Sequence, residues 1–223
     1  MDARRLEHLL LVGPAGSGKQ VLARAVVREL AQQAVEVDGE SVENLPHLLA
    51  IIRPLRNRDV LVVRHVDQMA PRGQQHLAVI VGERRVPRVT RTALERQEWL
   101  GLAEPEPPAV IPEFSLLATA ADPAKVQPML ARHVELTVRL AAPSPACQRS
   151  AIRRALAGFQ LSADEAAALR LVELATAHPD CTEPIVRVVA IRARAEGRSV
   201  IARDLVDACA AEDLPLFLPT AAA

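Results

Sequence analysis

The run Gly13-Pro14-Ala15-Gly16-Ser17-Gly18-Lys19-Gln20 places glycines at its first, fourth and sixth positions and a lysine at its seventh. This is the G-x-x-x-x-G-K pattern. Glycines let the backbone curl its N–H groups around phosphate oxygens, and the helix that opens there adds partial positive charge. Lys19 reaches the outer phosphates of such a ligand, and Val21 completes the first turn. The eighth position departs from the pattern. A Ser or Thr there gives a hydroxyl to Mg²⁺, whereas this chain has Gln20. An amide oxygen is a longer-reaching ligand in a different place. The loop therefore suits ATP or ADP, while Mg²⁺ is poorly served and no other metal site is expected.

The surrounding elements fit that loop. Leu9–Val12 is an unbroken apolar run ended by Gly13, which reads as a short buried strand. Residues 18 to 33 have helical spacing, with Val21, Leu22, Ala25, Val26 and Leu30 expected on one buried face. Val35–Val37 suits a strand and 44–55 a helix with Leu48, Leu49, Ile51 and Ile52 inward. Asp59–Val63 is apolar on both faces, as a central parallel strand is when helices cover both sides. A short helix is expected over 73–81, and strands over Phe114–Thr119 and Val134–Val138. Residues 83–112, with Trp99 and a proline-rich piece (Pro105, Pro107, Pro108, Pro112), read as a projecting hairpin or loop. Beyond Pro143 and Pro145 the pattern is helical only, at about 146–157, 163–177, 183–196 and 202–211. Alternating strands and helices followed by helices alone imply an α/β domain with a small helical domain after it. The expected bounds are 1–142, 143–213 and a tail at 214–223.

Composition agrees. The 223 residues are half hydrophobic but only 2% aromatic, so Leu, Val, Ile and Ala must build the core. Twenty-seven basic side chains balance 27 acidic ones. No apolar run reaches the ~20 residues of a membrane helix, and the N-terminus does not read as a signal peptide. Three distant cysteines fit neither a disulfide framework nor a zinc site. These features point to a cytoplasmic protein and exclude membrane proteins and strongly basic nucleic-acid coats. From Arg53 to Glu98, ten arginines face five acids. That stretch suits either an acidic or phosphate-bearing partner or a plain solvated face.

Taken together, Leu6–Ala23, Asp59–Met69 and Phe114–Ala121 resemble an AAA+ ATPase, and within that class the RuvB family of hexameric Holliday-junction branch-migration motors. The similarity continues through Pro128–His133 and Asp180–Ile185 and covers most of residues 6 to 212. It implies a three-layer P-loop AAA+ core with a parallel sheet, followed by a helical lid. The family places Asp-Glu after the third strand. The aspartate holds the metal through water, and the glutamate polarises the attacking water. Here those places hold Arg64 and His65. Asp67, three residues on, would serve only if the strand slid, which would put Arg64 and His65 inside its apolar run.

A unit charge at 4 Å is worth about 1 kcal/mol in water and about 4 at an effective dielectric of 20, so replacing the acid with Arg64 swings the interaction with Mg²⁺ by about twice that. Arg64 either neutralises phosphates itself or pairs with an acid. His65 is either a general base or a chance replacement. The polar residue that ends the sensor strand falls at Ala120 or Ala121, with Thr119 adjacent. The lid arginine aligns with Pro184. Arg132 aligns with the arginine finger that acts on a neighbour's nucleotide, although a plain surface arginine is the alternative.

Residues 83–112 take the place of the family hairpin that meets a DNA-targeting partner, with Trp99-Leu100 as either an anchor or a packing contact. The resemblance carries over neither the family's preceding adenine-gripping segment nor its DNA-contacting winged helix, so DNA contact is expected to be indirect or weak. Three functions follow: a catalytically impaired nucleotide-binding or scaffold subunit among other AAA+ subunits, a working recombination ATPase or accessory, and a clamp-loader-like structural subunit.

Overall fold

The computed structural model describes residues 6–30, 33–87 and 111–213. Trp99, Leu100 and most of the expected hairpin lie outside the described residues, as do the tail from residue 214 and the first five residues. Two compact units divide near Leu140, with the loop residues Ala15–Ser17 grouped with the second.

Five parallel strands form the sheet of the first unit: β1 (Leu9–Val12), β2 (Ala34–Asp38), β3 (Val60–Arg64), β4 (Ser115–Ala120) and β5 (Leu136–Arg139). Their order is β2-β3-β4-β1-β5. β1, β3 and β4 lie inside the sheet and are almost wholly buried. Parallel strands need crossovers, and here helices supply them: α1 (Lys19–Glu29) after β1, α2 (Leu45–Ile52) after β2 and α3 (Pro71–Glu83) after β3. A one-turn helix, α4 (Pro128–Ala131), precedes β5.

Side chains alternate across the sheet. Leu10, Val12, Leu61, Val63, Leu116 and Ala118 pack with α2 and α3, while Leu9, Leu11, Val60, Val62 and Leu117 pack on the α1 side. The α/β three-layer expectation holds. Asn44 fixes the start of α2 by accepting the His47 N–H at 2.9 Å.

One helix face differs from the sequence reading. Val21 is 72% exposed and Ala25 is exposed too; the buried side of α1 carries Lys19 and Ala23, with Leu22, Val26 and Val27 packed against the sheet. Two i, i+4 stripes overlap in this helix. The one with the small Ala23 lets the helix approach the strands, and Val21 is turned outward. The last strand also begins at Leu136 rather than Val134, because His133 and Val134 close the turn after α4 through backbone bonds to Leu130 and Ala131.

The second unit holds α5 (Pro145–Gly158), α6 (Glu165–Ala177), α7 (Thr182–Ala195) and α8 (Arg203–Glu212). Ile152, Leu156, Leu171, Val189 and Val206 form the centre of its own core. Ser144 and Asp164 cap α5 and α6 by accepting the N–H groups of Cys147 and Ala167. The helices-only reading is corrected in one respect: β6 (Ser162–Ala163) and β7 (Val200–Ile201) pair as a small parallel sheet. Two-residue strands are too short to leave a periodic signal. Cys209 is buried in this unit, and burial pushes its thiol up to about 11. No helix among the described residues is long and apolar enough to cross a membrane.

Candidate functional site

The phosphate loop leaves β1 at the C-terminal edge of the sheet, where parallel α/β folds bind ligands. The Gly13 N–H donates to the Ala120 carbonyl at 3.1 Å, tying the loop's first residue to the end of β4. Gly16 and Gly18 have φ of +69° and +85°, left-handed values that a side chain would strain. Gly18 is also the N-cap of α1, and it offers no side chain to the helix's first N–H groups. No acidic residue lies in that first turn. These amides keep their capacity to donate to an anion.

Lys19 is only 6% exposed. Its ammonium donates to the carbonyls of Gly13 at 2.6 Å and Pro14 at 2.8 Å, which lays it along the inside of the loop. The Ser17 hydroxyl is buried without a hydrogen-bond partner. A buried donor without an acceptor in a loop of this shape suits a phosphate oxygen. The residues present therefore fit a nucleotide's phosphates.

Opposite the loop is the end of β3. The Gln20 amide nitrogen lies 3.4 Å from His65 Nε2, so the loop's eighth residue and the second residue of the Asp-Glu place are side by side. His65 has φ +48° and ψ +47°, and its backbone N–H donates to Thr119 Oγ1 at 3.1 Å. A left-handed conformation at a non-glycine residue costs about 1 kcal/mol. Such strain persists where surrounding bonds fix it, often at functional sites. His65→Gly is expected to change stability by no more than about 0.5 kcal/mol, because release of that strain is offset by the glycine's greater freedom in the unfolded chain; urea denaturation of the two proteins measures it.

Arg64 turns toward β2. Its guanidinium lies 3.1 Å from Asp38 and its Nε 3.3 Å from Glu36, the latter without hydrogen-bond geometry. Glu36 also meets Arg24 of α1 at 3.5 Å. Two cations and two acids thus form one cluster, and Arg64's charge is met locally. What a magnesium ion lacks here is a ligand, while the repulsion from Arg64 is largely cancelled. Asp38 and Glu36 went unnoticed in the sequence. Their alternation along β2 is visible there, but the register that sets Asp38 beside Arg64 belongs to the folded sheet.

Asp67 is not at the strand's end. It sits in the 3-10 turn Val66–Gln68, and its Oδ2 accepts the N–H groups of Ala121 at 3.1 Å and Asp122 at 2.9 Å. It braces the loop after β4, and β3 keeps its unslid register. At the sensor place, Ala120 is buried and Ala121 exposed, and neither brings a polar side chain. Thr119 is fully buried, with its oxygen serving His65.

Two further candidate residues lie on helices of their own. Arg132 is exposed at the end of α4, its Nε 3.4 Å from His133 Nε2. Pro184 is an exposed residue in the first turn of α7.

Magnesium takes hard oxygen ligands in near-octahedral order. At the two places that should supply them, the Gln20 amide nitrogen faces an imidazole and Arg64 is paired with acids. Among the described residues, no group of three or more His, Cys, Asp or Glu could hold a metal ion. The residues do not fit magnesium.

A parallel sheet of this order, with a phosphate loop between β1 and α1, defines an AAA+ P-loop core. Within that class the similarity is to RuvB. Residues 1–92 match the model of the Holliday junction DNA helicase RuvB P-loop domain. The Thermotoga maritima RuvB Holliday junction branch migration motor superposes with a TM-score of 0.66 at 18% identity, over 92% of this chain and 61% of that one. Another structure of Thermotoga maritima RuvB, a point mutant, gives 0.68 at 18% identity over 92% and 62%. The chain therefore spans about three fifths of those RuvB chains.

Proposed function

We propose that this protein is a RuvB-like AAA+ subunit that binds nucleotide but hydrolyses it weakly or not at all, and that serves as a regulator or scaffold among other AAA+ subunits. The observation that carries this reading is the contrast within one site. The cradle is complete from Gly13 to Lys19, while the places that would hold metal and activate water contain Gln20, Arg64 and His65.

Arg132 supports the second half of the proposal. A subunit that cannot use its own site can still offer an exposed arginine to a neighbour's nucleotide, where such a residue is worth roughly 10³–10⁵ in rate. A role in DNA recombination, suggested by the similarity to the RuvB branch migration motor, is part of the proposal.

Two measurements test it. Purified protein titrated calorimetrically with ADP is expected to bind, and Lys19→Ala to weaken binding by at least tenfold through loss of the loop's buried cation. Phosphate release with Mg²⁺, with and without branched DNA, is expected to stay at background. Robust Mg²⁺-dependent turnover by the chain alone would sink the reading. With an active AAA+ partner, Arg132→Ala is expected to reduce the partner's turnover in the mixed assembly while leaving assembly intact on size exclusion.

A further inference from the structure

We infer that Gln20 and His65 together occupy the metal's seat, so that the phosphates of a nucleotide are bound here without Mg²⁺. This rests on the nucleotide-binding reading above and specifies how the site balances charge.

A diphosphate or triphosphate is a polyanion, and in a metal-assisted site Mg²⁺ cancels part of its charge. Here the seat beside Lys19 is lined differently. Gln20 follows Lys19 directly at the start of α1, and its side chain extends to His65 Nε2 at 3.4 Å. The amide nitrogen carries two N–H groups, of which the ring takes at most one, so one remains for an anion. In that pairing His65 Nε2 is the acceptor, so the ring orients the amide and the amide's second N–H is the donor left for a phosphate. His65 is not free to drift away, because its backbone N–H is fixed to Thr119 and its carbonyl accepts the Gln68 N–H at 2.8 Å. The strained backbone at His65 holds the ring against the loop.

The cations nearby divide in two. Lys19 lies along the loop, where phosphates bind. Arg64 is engaged by Asp38 and Glu36 and adds little to the field at the loop. Charge on the ligand is therefore met by Lys19, by the N-terminus of α1 and by the remaining N–H of the Gln20 amide. An N–H donor attracts an anion directly, and the nitrogens that face each other here are not the hard oxygen ligands Mg²⁺ takes.

The test is ADP titration of the full chain by calorimetry in EDTA and in excess Mg²⁺. The dissociation constants are expected to agree within about threefold. In EDTA, a variant with His65→Ala is expected to bind several-fold more weakly. The imidazole ¹H–¹⁵N resonance of His65, assigned by its loss in that variant, is expected to shift on ADP addition in EDTA. Binding that appears only with Mg²⁺, or tightens tenfold or more with it, overturns the inference and leaves the nucleotide-binding reading standing. An unmoved His65 resonance in saturating ADP also overturns it. Absence of ADP binding in both buffers removes the nucleotide-binding reading itself. If His65→Ala fails to fold by circular dichroism, the buffer comparison on the wild-type chain still decides.

Discussion

Arg64→Asp is expected to destabilise the core by about 2 kcal/mol and to leave ATP turnover at background. The substitution restores the acid that RuvB-like motors carry at this place, yet the neighbourhood has been rebuilt around a cation. In the folded sheet Asp38 is the direct register partner of residue 64, and Glu36 reaches it from the same strand. A new carboxylate would meet two others. Like charges set opposite each other on paired strands are destabilising. At 4 Å and an effective dielectric of 20, each contact approaches 4 kcal/mol before solvent screening. Arg64's side chain is about a third exposed, at 31%, which cuts that figure severely. The net of ~2 kcal/mol corresponds to about 4–8 °C in melting temperature for a chain of this size.

Swapping the charges distinguishes this account from simple disruption. Arg64→Asp combined with Asp38→Arg is expected to recover at least half of the lost stability, because the cross-strand pair is restored in reverse. Thermal melts of the wild type, both single variants and the double variant form the cycle that measures the coupling. Activity is not expected to return in any of them. On the proposed reading, Gln20 and His65 still fill the places from which metal binding and water activation would come.

The same cluster marks the limit of what the sequence could tell. A contiguous motif such as Gly13–Lys19 is legible because its members are covalent neighbours, and Lys19 and both positive-φ glycines sit as the motif requires. The apolar runs at Leu9–Val12, Asp59–Val63 and Phe114–Thr119 were legible because central parallel strands bury both faces. Arg64 and His65 were also found in sequence, but their partners were not. Whether Arg64 points at phosphate or at an acid depends on β2 lying next to β3 in one register. Nothing in the residues of β2 alone announces that pairing. Thr119 presents the same problem: its hydroxyl serves a backbone N–H from a different strand, 54 residues away in sequence. Val21 failed for another reason. An amphipathic stripe read from hydrophobicity alone prefers the larger Val21 to the smaller Ala23, whereas close approach of a helix to a sheet favours the smaller residue.

Gly39→Ala is expected to cost about 3 kcal/mol, although this glycine needs no unusual backbone angle. Its role is space. A Cβ there would lie 2.5 Å from the His65 carbonyl oxygen and 2.9 Å from that of Arg64. The approach is fixed by the Gly39 N–H, which donates to the Arg64 carbonyl at 2.6 Å. The clash is with backbone on every side, so no rotamer change relieves it. Either the turn after β2 moves or the end of β3 does. Overpacking of a rigid site typically costs 1–3 kcal/mol, and more when backbone must yield. The residue that moves with β3 is His65. The variant should therefore lose nucleotide affinity in EDTA along with stability, because the ring withdraws from Gln20.

Gly158→Ala is the matched control, since a Cβ at the end of α5 meets nothing within 4 Å. It should stabilise its helix by about 0.5–1 kcal/mol. Urea denaturation followed by circular dichroism reads both, and a Gly39→Ala protein as stable as the wild type would show that the close approach of β2's turn to the end of β3 does not hold the site. A loss of stability without loss of ADP affinity would instead separate that approach from the placement of His65, leaving the Thr119 hydrogen bond as the element that holds the ring in place.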